Sequence, residues 1–375
     1  MQQLATLARL KAKLSPVTVS PTAAFIEATS HCQLRCPSCP TALKKTDAVL
    51  GRGYLTPKTL MRILEAGPRI RHVELSNWGE AFLNPRLPEI LRILHQRGIR
   101  ITIANGANLN NARDEALEAV VRYRVSNITC SIDGASSETY KEYRRGGDFN
   151  KVMANIRKIN EFKKRCGSKY PKLSWQFIIF GHNQHEIDKA RQTAKELGMD
   201  IQFKLSWEWD PNYSPVTKTN SVLSAVGATS RKELREKYGV EAHNSICMQL
   251  WNRPAINWDG TVVGCCANFW GAFSNINTEG SFKAAVNSER MQYARKMLMG
   301  KAEPREDIPC TRCSRYEHRL KTGQWITPAD VYLLSPLRRI LREHGLTPKI
   351  RSLLLLGRRP LIKFPILRRA LFGDI

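Results

Sequence analysis

Residues 24–39 read AFIEATSHCQLRCPSC and place a β-rich run directly before three cysteines. The run at 24–29 predicts a strand, and Cys32, Cys36 and Cys39 follow it within eight residues. Thiolates this close together can surround one metal centre, either zinc or an iron–sulfur cluster. Structural zinc needs four protein ligands, and only His31 is a nearby candidate for the fourth. A cubane held by three thiolates would leave one iron open to a substrate or cofactor.

Up to residue 205 the chain alternates β-rich runs with helical periodicity. The β-rich runs predict strands at 24–29, 72–77, 100–105, 127–133, 173–179 and 201–205. The segments between them predict helices at 57–66, 87–97, 113–123, 150–164 and 184–197. This alternation predicts an α/β fold with a parallel sheet. Ligands of such sheets bind at the carboxyl ends of the strands, so we expect the chemistry in the loops that follow them.

The pattern changes after residue 205, where a polar stretch separates a second unit. Asp259-Gly260 predicts a two-residue hairpin turn between runs at 255–258 and 261–264, and a helix is expected around 281–299. We therefore divide the chain into a basic N-terminal segment (1–21), a first domain (22–215), a linker (216–244), a second domain (245–325) and a basic tail (326–375).

The composition excludes several classes of protein. The chain has 375 residues, 42% of them hydrophobic, and 59 Lys and Arg against 33 Asp and Glu give a net charge of +26. A disordered, collagenous or small disulfide-stapled protein is excluded. No apolar run is long enough to span a bilayer and no secretory signal is visible, which predicts a cytoplasmic protein. In that reducing compartment, ten cysteines favour metal ligands or catalytic thiols over disulfides.

Both ends of the chain are basic. Residues 1–20 carry a net charge of +3 and residues 336–375 a net charge of +8. In the tail, arginines alternate with short apolar clusters, and Pro360 and Pro365 interrupt any long helix. We interpret the tail as amphipathic pieces that make peripheral contact with an anionic membrane surface, or with an acidic partner. The alternative is a basic tail packed on its own domain.

The spacing C-x3-C-x2-C after a first strand resembles the radical S-adenosylmethionine (radical SAM) superfamily. The resemblance implies a partial (β/α)6 barrel in which Cys32, Cys36 and Cys39 ligate a 4Fe–4S cluster. It also implies that the open iron chelates S-adenosylmethionine (SAM), whose reductive cleavage gives a 5'-deoxyadenosyl radical. Ser38 departs from the family, which commonly has an aromatic or another bulky residue before the last cysteine.

Later loops resemble the same family. Residues 76–81, SNWGEA, resemble the GGEP loop, whose backbone receives the methionine amino group, although Trp78 and Ala81 replace a glycine and the proline. A tight strand-to-helix turn closed by Gly79 is the alternative. The resemblance implies SAM contacts at Gly79, Glu80, Asn105, Ser131 and Arg144. The serine would reach a ribose hydroxyl and the arginine the carboxylate. No catalytic acid or base is identifiable.

The second unit carries four further candidate ligands, Cys247, Cys265, Cys310 and Cys313. The hairpin brings Cys247 near Cys265, and four thiolates could close around zinc or around a 4Fe–4S cluster. Cys247, Gly260-x4-Cys265 and a distant C-x2-C resemble the SPASM/twitch extension of radical SAM enzymes, a small α+β domain. Its twitch form implies a single auxiliary 4Fe–4S cluster held by these four cysteines.

The remaining polar and thiol candidates are given structural interpretations. Cys130, Cys166 and Cys266 are interpreted as small buried residues. Asn183 and Glu186 open the periodic segment that ends at residue 197, and we interpret them as a capping box.

The resemblance covers about residues 22–325 and implies a radical SAM enzyme. Complete protein ligation of the auxiliary cluster favours electron transfer, and therefore a two-electron oxidation. The positive charge favours an anionic sugar-like or lipid-linked small molecule as the substrate. A peptide or protein maturase of the SPASM class is the alternative. A flavodoxin- or ferredoxin-type protein is the expected electron donor.

Two readings outside this class stay open at this point. A net charge of +26 would attract phosphate, so the cysteines could form zinc knuckles of a nucleic-acid-binding protein. The first cysteine group lacks an obvious fourth ligand, and the α/β alternation resembles no common nucleic-acid reader, so no nucleic-acid partner is expected. The altered GGEP-like loop could also belong to a former enzyme kept as a membrane-associated scaffold.

Overall fold

A computed structural model describes residues 14–18, 20–206, 216–238 and 244–334. Most of the predicted N-terminal segment (1–21) and of the predicted basic tail (326–375) lies outside these residues. Within the described ranges, no helix combines the length and the apolar character that crossing a bilayer requires.

The described residues form one nine-stranded sheet with helices between its strands. The strands are β1 (Ala23–Ile26), β2 (His72–Glu74), β3 (Arg100–Ala107), β4 (Asn127–Ser131), β5 (Lys172–Ile179), β6 (Asp200–Leu205), β7 (Ala255–Ile256), β8 (Thr261–Gly264) and β9 (Ser274–Asn275). The first helices are α1 (Asp47–Leu50), α2 (Pro57–Ala66), α3 (Leu87–Gln96), α4 (Asp114–Arg122), α5 (Ser137–Tyr143), α6 (Phe149–Arg165) and α7 (Ile187–Glu196). They are followed by α8 (Asn220–Val226), α9 (Arg231–Tyr238), α10 (Asn244–Cys247), α11 (Gln249–Asn252), α12 (Ile276–Glu279), α13 (Phe282–Ala285), α14 (Glu289–Leu298) and α15 (Ser314–Thr322). Short 3-10 turns span Ala81–Leu83, Gln184–Glu186 and Pro309–Arg312, and a π-helical turn spans Asp330–Leu334.

Strands β1 to β6 are parallel neighbours in chain order. The predicted α/β fold with six parallel strands is therefore confirmed, and each strand overlaps its predicted segment. Strand β2 ends at Glu74, three residues before its predicted end. The reason is local: Ser76 donates its backbone N–H (3.1 Å) and its hydroxyl (2.6 Å) to the Glu74 carboxylate, which turns the chain out of the strand.

The helices begin where the sequence supplies caps and bury one apolar stripe each. In α2, the Thr56 side chain accepts the N–H of Thr59, and Pro57 occupies the first turn, where its missing N–H costs nothing. Leu60 and Ile63 of this helix are buried against the sheet. The spacing of three between them is the helical repeat that the sequence shows.

The sheet has an apolar face and a polar face. Ile26, Ile128 and Trp175 lie on the apolar face, in the main core under the helices. Successive strand residues point to opposite faces, so the residues between them lie on the other side. Strand pairing places Phe25 beside Glu74 and Glu74 beside Thr102. The pairing of β3 with β4 and of β4 with β5 continues this row of side chains across the sheet. We call this side the polar face and define it by Phe25, Glu74, Thr102, Thr129, Ser131 and Gln176.

The second unit is joined to the first through the sheet. The predicted hairpin forms, with β7 antiparallel to β8, and β7 also pairs in parallel with β1. Asn257 and Trp258 reinforce this junction, because both side chains donate to the Leu50 carbonyl, at 2.8 and 2.9 Å. The second unit therefore continues the sheet of the first instead of standing apart from it.

The single helix predicted at 281–299 is wrong. Helix α13 ends at Ala285, and α14 begins at Glu289. The Ser288 side chain accepts the N–H of Met291 and caps the second helix. A serine in this position starts a new helix more readily than it continues an old one.

Two of the cysteines outside the candidate ligand groups differ sharply in environment. Cys130 is fully buried on the apolar face of the sheet, which confirms its interpretation as a core residue. Cys166 follows α6 and is exposed, so its interpretation as a buried residue is wrong. Residues 164 and 165 at the end of α6 are exposed as well, so Cys166 follows a part of the helix that lies away from the core.

These two cysteines provide a matched test of the core. Replacing Cys130 by serine places a hydroxyl among apolar side chains and is expected to lower the free energy of unfolding by about 1–3 kcal/mol. Cys166→Ser should change it by less than about 0.5 kcal/mol. Denaturant midpoints of the anaerobically prepared variants measure both effects, and equal midpoints would contradict the assigned faces.

Candidate active site

The first cysteine group lies in the loop after β1. Cys32, Cys36 and Cys39 belong to one side-chain cluster, which Tyr143 and Phe180 help to enclose. Burial raises the pKa of Cys32 to about 12 and that of Cys36 to about 11. Such thiols become thiolates when a bound cation offsets the cost of burying the charge. Three buried soft donors in one loop fit an iron–sulfur cluster, and the structure brings these three predicted residues together.

Two polar side chains face the sulfur atoms of this group. Asn108 Nδ2 lies 3.7 Å from Cys32 Sγ, and Arg144 Nη1 lies 3.9 Å from Cys36 Sγ, each as donor. Hydrogen bonds to ligating sulfurs shift the reduction potential of a cluster. Sequence analysis missed Asn108, because an asparagine after a strand has no distinctive spacing.

An aromatic side chain from helix α5 lies beside the unusual serine of the loop. The Ser38 and Tyr143 hydroxyl oxygens are 2.6 Å apart. The Tyr143 ring also packs on Phe180, with centroids 4.5 Å apart. An aromatic ring therefore borders the cysteines although position 38 itself is small. Only the fold could show this, since the two positions are far apart in sequence.

Gly79 lies against the backbone that leads into the cysteine loop. A Cβ atom at this position would be 1.8 Å from the Thr29 carbonyl oxygen and 2.9 Å from the His31 carbonyl oxygen. The next residue, Glu80, donates its N–H to the His31 carbonyl at 2.8 Å. Position 79 therefore requires glycine because the loop after β2 lies directly against the loop after β1. A simple strand-to-helix turn would not need this contact.

Two buried carboxylates hold this loop. Glu80 accepts the backbone N–H groups of Asn108 (2.6 Å) and Phe82 (3.2 Å), and burial raises its pKa to about 7. Glu27, directly after β1, accepts the N–H groups of Trp78 (2.9 Å) and Gly79 (3.3 Å), and burial raises its pKa to about 8. Sequence analysis missed Glu27. Its signal was a lone acid in an otherwise apolar run.

Asn105 and Ser131 lie at the carboxyl ends of β3 and β4, as predicted for ligand contacts. Asn105 Nδ2 donates to Asn77 Oδ1 at 3.0 Å, which links the loops after β3 and β2. Ser131 faces Gly106, where a Cβ atom would lie 2.7 Å from its hydroxyl. Both predicted residues therefore border the same edge of the sheet as the first cysteine group. Their roles toward SAM stay predictions.

Two of the three guanidinium nitrogens of Arg144 contact a protein carboxylate. Its Nε and Nη2 lie 2.7 and 2.6 Å from Asp133 Oδ2, and Asp133 is fully buried. The prediction that Arg144 binds the SAM carboxylate stays untested, but the observed partner of its fork is Asp133. The same guanidinium reaches Cys36 with its remaining nitrogen, so Arg144 links the buried acid to the first cysteine group.

The capping-box interpretation of Asn183 and Glu186 is wrong. Neither side chain caps the helix that follows. Asn183 donates to the carbonyls of Asp133 (3.1 Å) and Ile178 (3.0 Å), and Glu186 accepts the Ala135 N–H at 2.6 Å. The two residues therefore brace the loop after β4. The local pattern Asn-x-x-Glu could not reveal partners some fifty residues earlier in the chain.

The second cysteine group lines one cavity in the second unit. All four predicted ligands, Cys247, Cys265, Cys310 and Cys313, line this cavity. Leu250, Trp270, Phe273 and Arg315 are among its other wall residues. Burial, with a further contribution from the neighbouring thiols, raises the pKa of Cys247, Cys265 and Cys310. Four enclosed thiols fit an iron–sulfur cluster, because the positive charge of its iron would stabilise their thiolate forms. Over the described ranges, no group of three or more His, Cys, Asp or Glu side chains is arranged to hold a single metal ion.

Cys266 points away from this cavity. Its side chain packs against the buried cluster of Phe25, Leu50, Ala255 and Val263. Its backbone N–H donates to Gln249 Oε1 at 2.7 Å. The choice of Cys265 over its neighbour as the candidate ligand is therefore in line with the cavity, since only Cys265 lines it.

Family models match two parts of the chain. Residues 26–194 match the radical SAM superfamily, and residues 247–314 match SPASM, an iron–sulfur cluster-binding domain. The chain contains a radical SAM domain and a SPASM domain. Each matched range contains one of the two cysteine groups. A radical SAM domain binds SAM and a 4Fe–4S cluster, and a SPASM domain binds auxiliary iron–sulfur clusters, so these cofactors are those of this enzyme.

Relatives of this radical SAM enzyme have diverse names. It is 22% identical over 262 residues to the tungsten-containing aldehyde ferredoxin oxidoreductase cofactor-modifying protein of Pyrococcus furiosus, with 64% of this chain and 70% of that protein covered. It is 27% identical over 173 residues to the AdoMet-dependent heme synthase of Methanosarcina barkeri, with 46% of each chain covered. The enzyme thus spans about half the length of the heme synthase.

A solved structure shares the fold of this radical SAM enzyme. Streptococcus suis SuiB bound to S-adenosylmethionine superimposes with a TM-score of 0.56 at 14% identity. The likeness covers 87% of this chain and 78% of SuiB. At this identity it establishes the fold, including the parallel sheet of the radical SAM domain, and leaves the substrate undetermined.

Replacing Gly79 by alanine should impair the first cysteine group of this radical SAM enzyme. The added Cβ meets backbone atoms of residues 29–31, which cannot rotate away, so the segment before Cys32 must shift. We expect the reconstituted G79A variant to carry about half the iron of the wild type, because only the second group would still load. Cys166→Ala is the control, since Cys166 is exposed and belongs to neither cysteine group. Full iron content in G79A would contradict the inferred close approach.

Glu27 predicts a pH-dependent stability. Its pKa is raised by burial from 4.5 to about 8, so the folded chain retains the proton that the unfolded chain has lost. The wild type should therefore lose stability as the pH rises from about 4.5 to about 8, by up to about 1.4 kcal/mol per pH unit. The Glu27→Gln variant stays neutral over this window. The difference in melting temperature between variant and wild type should thus move in favour of the variant from pH 5.5 to pH 8. A difference that is constant with pH would contradict the assignment.

Proposed function

We propose that this radical SAM enzyme catalyses a two-electron oxidation of an anionic small molecule, either sugar-like or lipid-linked. The observation that carries the proposal is the pairing of an open thiol group of three with a second, four-thiol cavity on the same sheet. The first group is suited to start radical chemistry, and the second to remove an electron.

We assign the first 4Fe–4S cluster to Cys32, Cys36 and Cys39. When bound, this cluster supplies the electron that cleaves SAM and the open iron that holds it. The chain's own residues orient these ligands: Asn108 and Arg144 donate toward two of the sulfurs. The backbone of Gly79 and Glu80 packs against residues 29–31, which lead into the cysteine loop.

The single auxiliary cluster is assigned to the four-thiol cavity. Four protein ligands leave no coordination position for a substrate, which favours a role in electron transfer. In the proposed oxidation, SAM held at the first cysteine group would supply the radical that removes a hydrogen atom from a substrate C–H bond. The four cysteines of the second group would hold a cluster able to accept the one further electron that the substrate gives up, together with a proton, to complete the two-electron oxidation. Arg315, whose Nη1 lies 3.9 Å from Cys313 Sγ, would stabilise the added negative charge.

The polar face of the sheet is the proposed substrate side. Thr102, Thr129 and Gln176 present hydrogen-bonding groups there, and Lys204 donates to Gln176 at 2.7 Å. The net charge of +26 favours an anionic ligand over a neutral one. The names of two relatives, a cofactor-modifying protein and a heme synthase, also refer to small-molecule cofactors. We retain the flavodoxin- or ferredoxin-type electron donor as part of the proposal.

The proposed division into domains follows the same evidence. The cysteine groups fall in the matched ranges 26–194 and 247–314, within the expected domains at 22–215 and 245–325. We place the linker at 216–244, where α8 and α9 lie. Peripheral contact between the basic tail and an anionic membrane surface is a further part of the proposal.

A triple substitution separates the two cysteine groups. Replacing Cys32, Cys36 and Cys39 by alanine should abolish formation of 5'-deoxyadenosine, because no ligands for the SAM-binding cluster remain. The iron content should fall from about eight to about four per chain, since the second cavity is intact. Anaerobic reconstitution, an iron and sulfide count, and chromatography of the reaction products measure both effects.

The matched control replaces Cys130 and Cys166 by alanine, neither of which lies in a candidate ligand group. This double variant should keep its full iron content. Continued cleavage of SAM by the triple variant would contradict the assignment of the first group. Zinc in place of iron in the wild type, with no 5'-deoxyadenosine, would contradict the proposed function as a whole.

A further inference from the structure

Arg253 lies at the junction of the two units. It ends helix α11 and precedes strand β7, which pairs with β1. Its guanidinium carbon lies 4.3 Å from the centre of the Phe25 ring. Because Phe25 belongs to the polar face, the positive charge of Arg253 is directed to the side of the sheet that the core helices do not occupy.

This guanidinium has no hydrogen-bonded acceptor among the described residues. Its observed contact is the cation–π stack on Phe25. The groups that influence it electrostatically are Glu74 and Cys266. The Glu74 oxygens, however, already accept from Ser76, Thr102 and the Ala104 N–H, at 2.6 to 3.1 Å. The five N–H donors of Arg253 are therefore available to a ligand.

Two other enclosed arginines, Arg295 and Arg144, donate hydrogen bonds to acceptors of the protein. Arg295 is fully buried and donates to the carbonyls of Leu250 and Val286. Arg144 pairs with Asp133. Arg253 differs from both, since no described residue accepts a hydrogen bond from its half-buried guanidinium, although burial lowers its pKa. An enclosed charge without a partner is costly unless a ligand of opposite charge completes it.

The position of Arg253 also links the two cysteine groups. Its stacking partner Phe25 packs with Trp78 and Cys266. Trp78 directly precedes Gly79, at the edge of the first group, and Cys266 directly follows Cys265 of the second. The Trp78 ring meets Phe269 edge to face, with centroids 5.0 Å apart. A molecule held at Arg253 would therefore lie between the loops that carry the two groups.

We propose that Arg253 binds an oxyanion of the substrate, a phosphate or a carboxylate, and so positions the substrate between the two cysteine groups. Its planar fork can donate two parallel hydrogen bonds to either group, and the Phe25 ring fixes the plane of the fork. This inference rests on the proposed function, because it supplies the anion-binding residue for the substrate class named there.

Equilibrium binding tests the inference with two probes. Inorganic pyrophosphate and succinate are titrated by calorimetry into the anaerobically reconstituted, SAM-loaded enzyme, once as wild type and once as R253Q. We expect one saturable site in the wild type for at least one probe, and binding weaker by about tenfold or more in R253Q. The probe that loses more affinity identifies phosphate or carboxylate as the anion. Iron content and melting temperature establish that the variant is folded.

The control variant is R305Q, which removes the same charge from a half-buried arginine that pairs with Glu289 and Asp307. It should bind the probes as the wild type does. If R253Q does not load iron, R253K takes its place, and its lysine, which lacks the fork, should weaken binding severalfold. The inference is overturned by equal affinity in wild type and the Arg253 variant, by equal weakening in R305Q, or by no saturable site in the wild type. The proposed function fails separately, through absence of 5'-deoxyadenosine from the wild type.

Discussion

Gly79 lies against the carbonyl groups of Thr29 and His31, and this contact sets the path of the chain into the first cysteine loop. The loop after β2 can approach so closely because position 79 has no side chain, and because Glu27 and Glu80 accept the N–H groups that would otherwise be buried without partners. The three cysteines therefore depend on residues of β1, of the loop after β2 and of the loop after β3. A change in any of these elements would alter the spacing of the sulfur atoms.

The site is built around charges that the protein partly compensates. Asp133 is paired with Arg144, and Glu74 is surrounded by donors. The thiols and Arg253 are different, because burial works against their charged forms and the described protein gives them little in return. A bound cluster would convert the thiols to thiolates, and an anionic substrate would neutralise the charge of Arg253. The same low-dielectric environment would strengthen both interactions.

The parallel pairing of β7 with β1 gives the enzyme its geometry. It makes the hairpin of the second unit a continuation of the main sheet, so the four-thiol cavity has a defined position relative to the polar face. It also places Arg253 over Phe25. Electron transfer from a substrate radical requires such proximity, and a flexible tether between two independent domains would not provide it. The junction is therefore as important to the proposed oxidation as the ligands themselves.

The amino-acid sequence by itself determined the alternation of strands and helices, the hairpin at Asp259-Gly260 and the two sets of cysteines, because these features depend on local periodicity and spacing. Tertiary structure alone decided which distant groups meet. Glu27 with the Gly79 loop, Asn183 with Asp133, and Arg253 with Phe25 are pairs whose members have ordinary local contexts. Their partners depend on strand register and loop packing, and those are set by the burial of the whole apolar face. For the same reason, only the folded chain could show that Cys166 is exposed and that the Tyr143 ring lies beside Ser38, where the family commonly has a bulky residue.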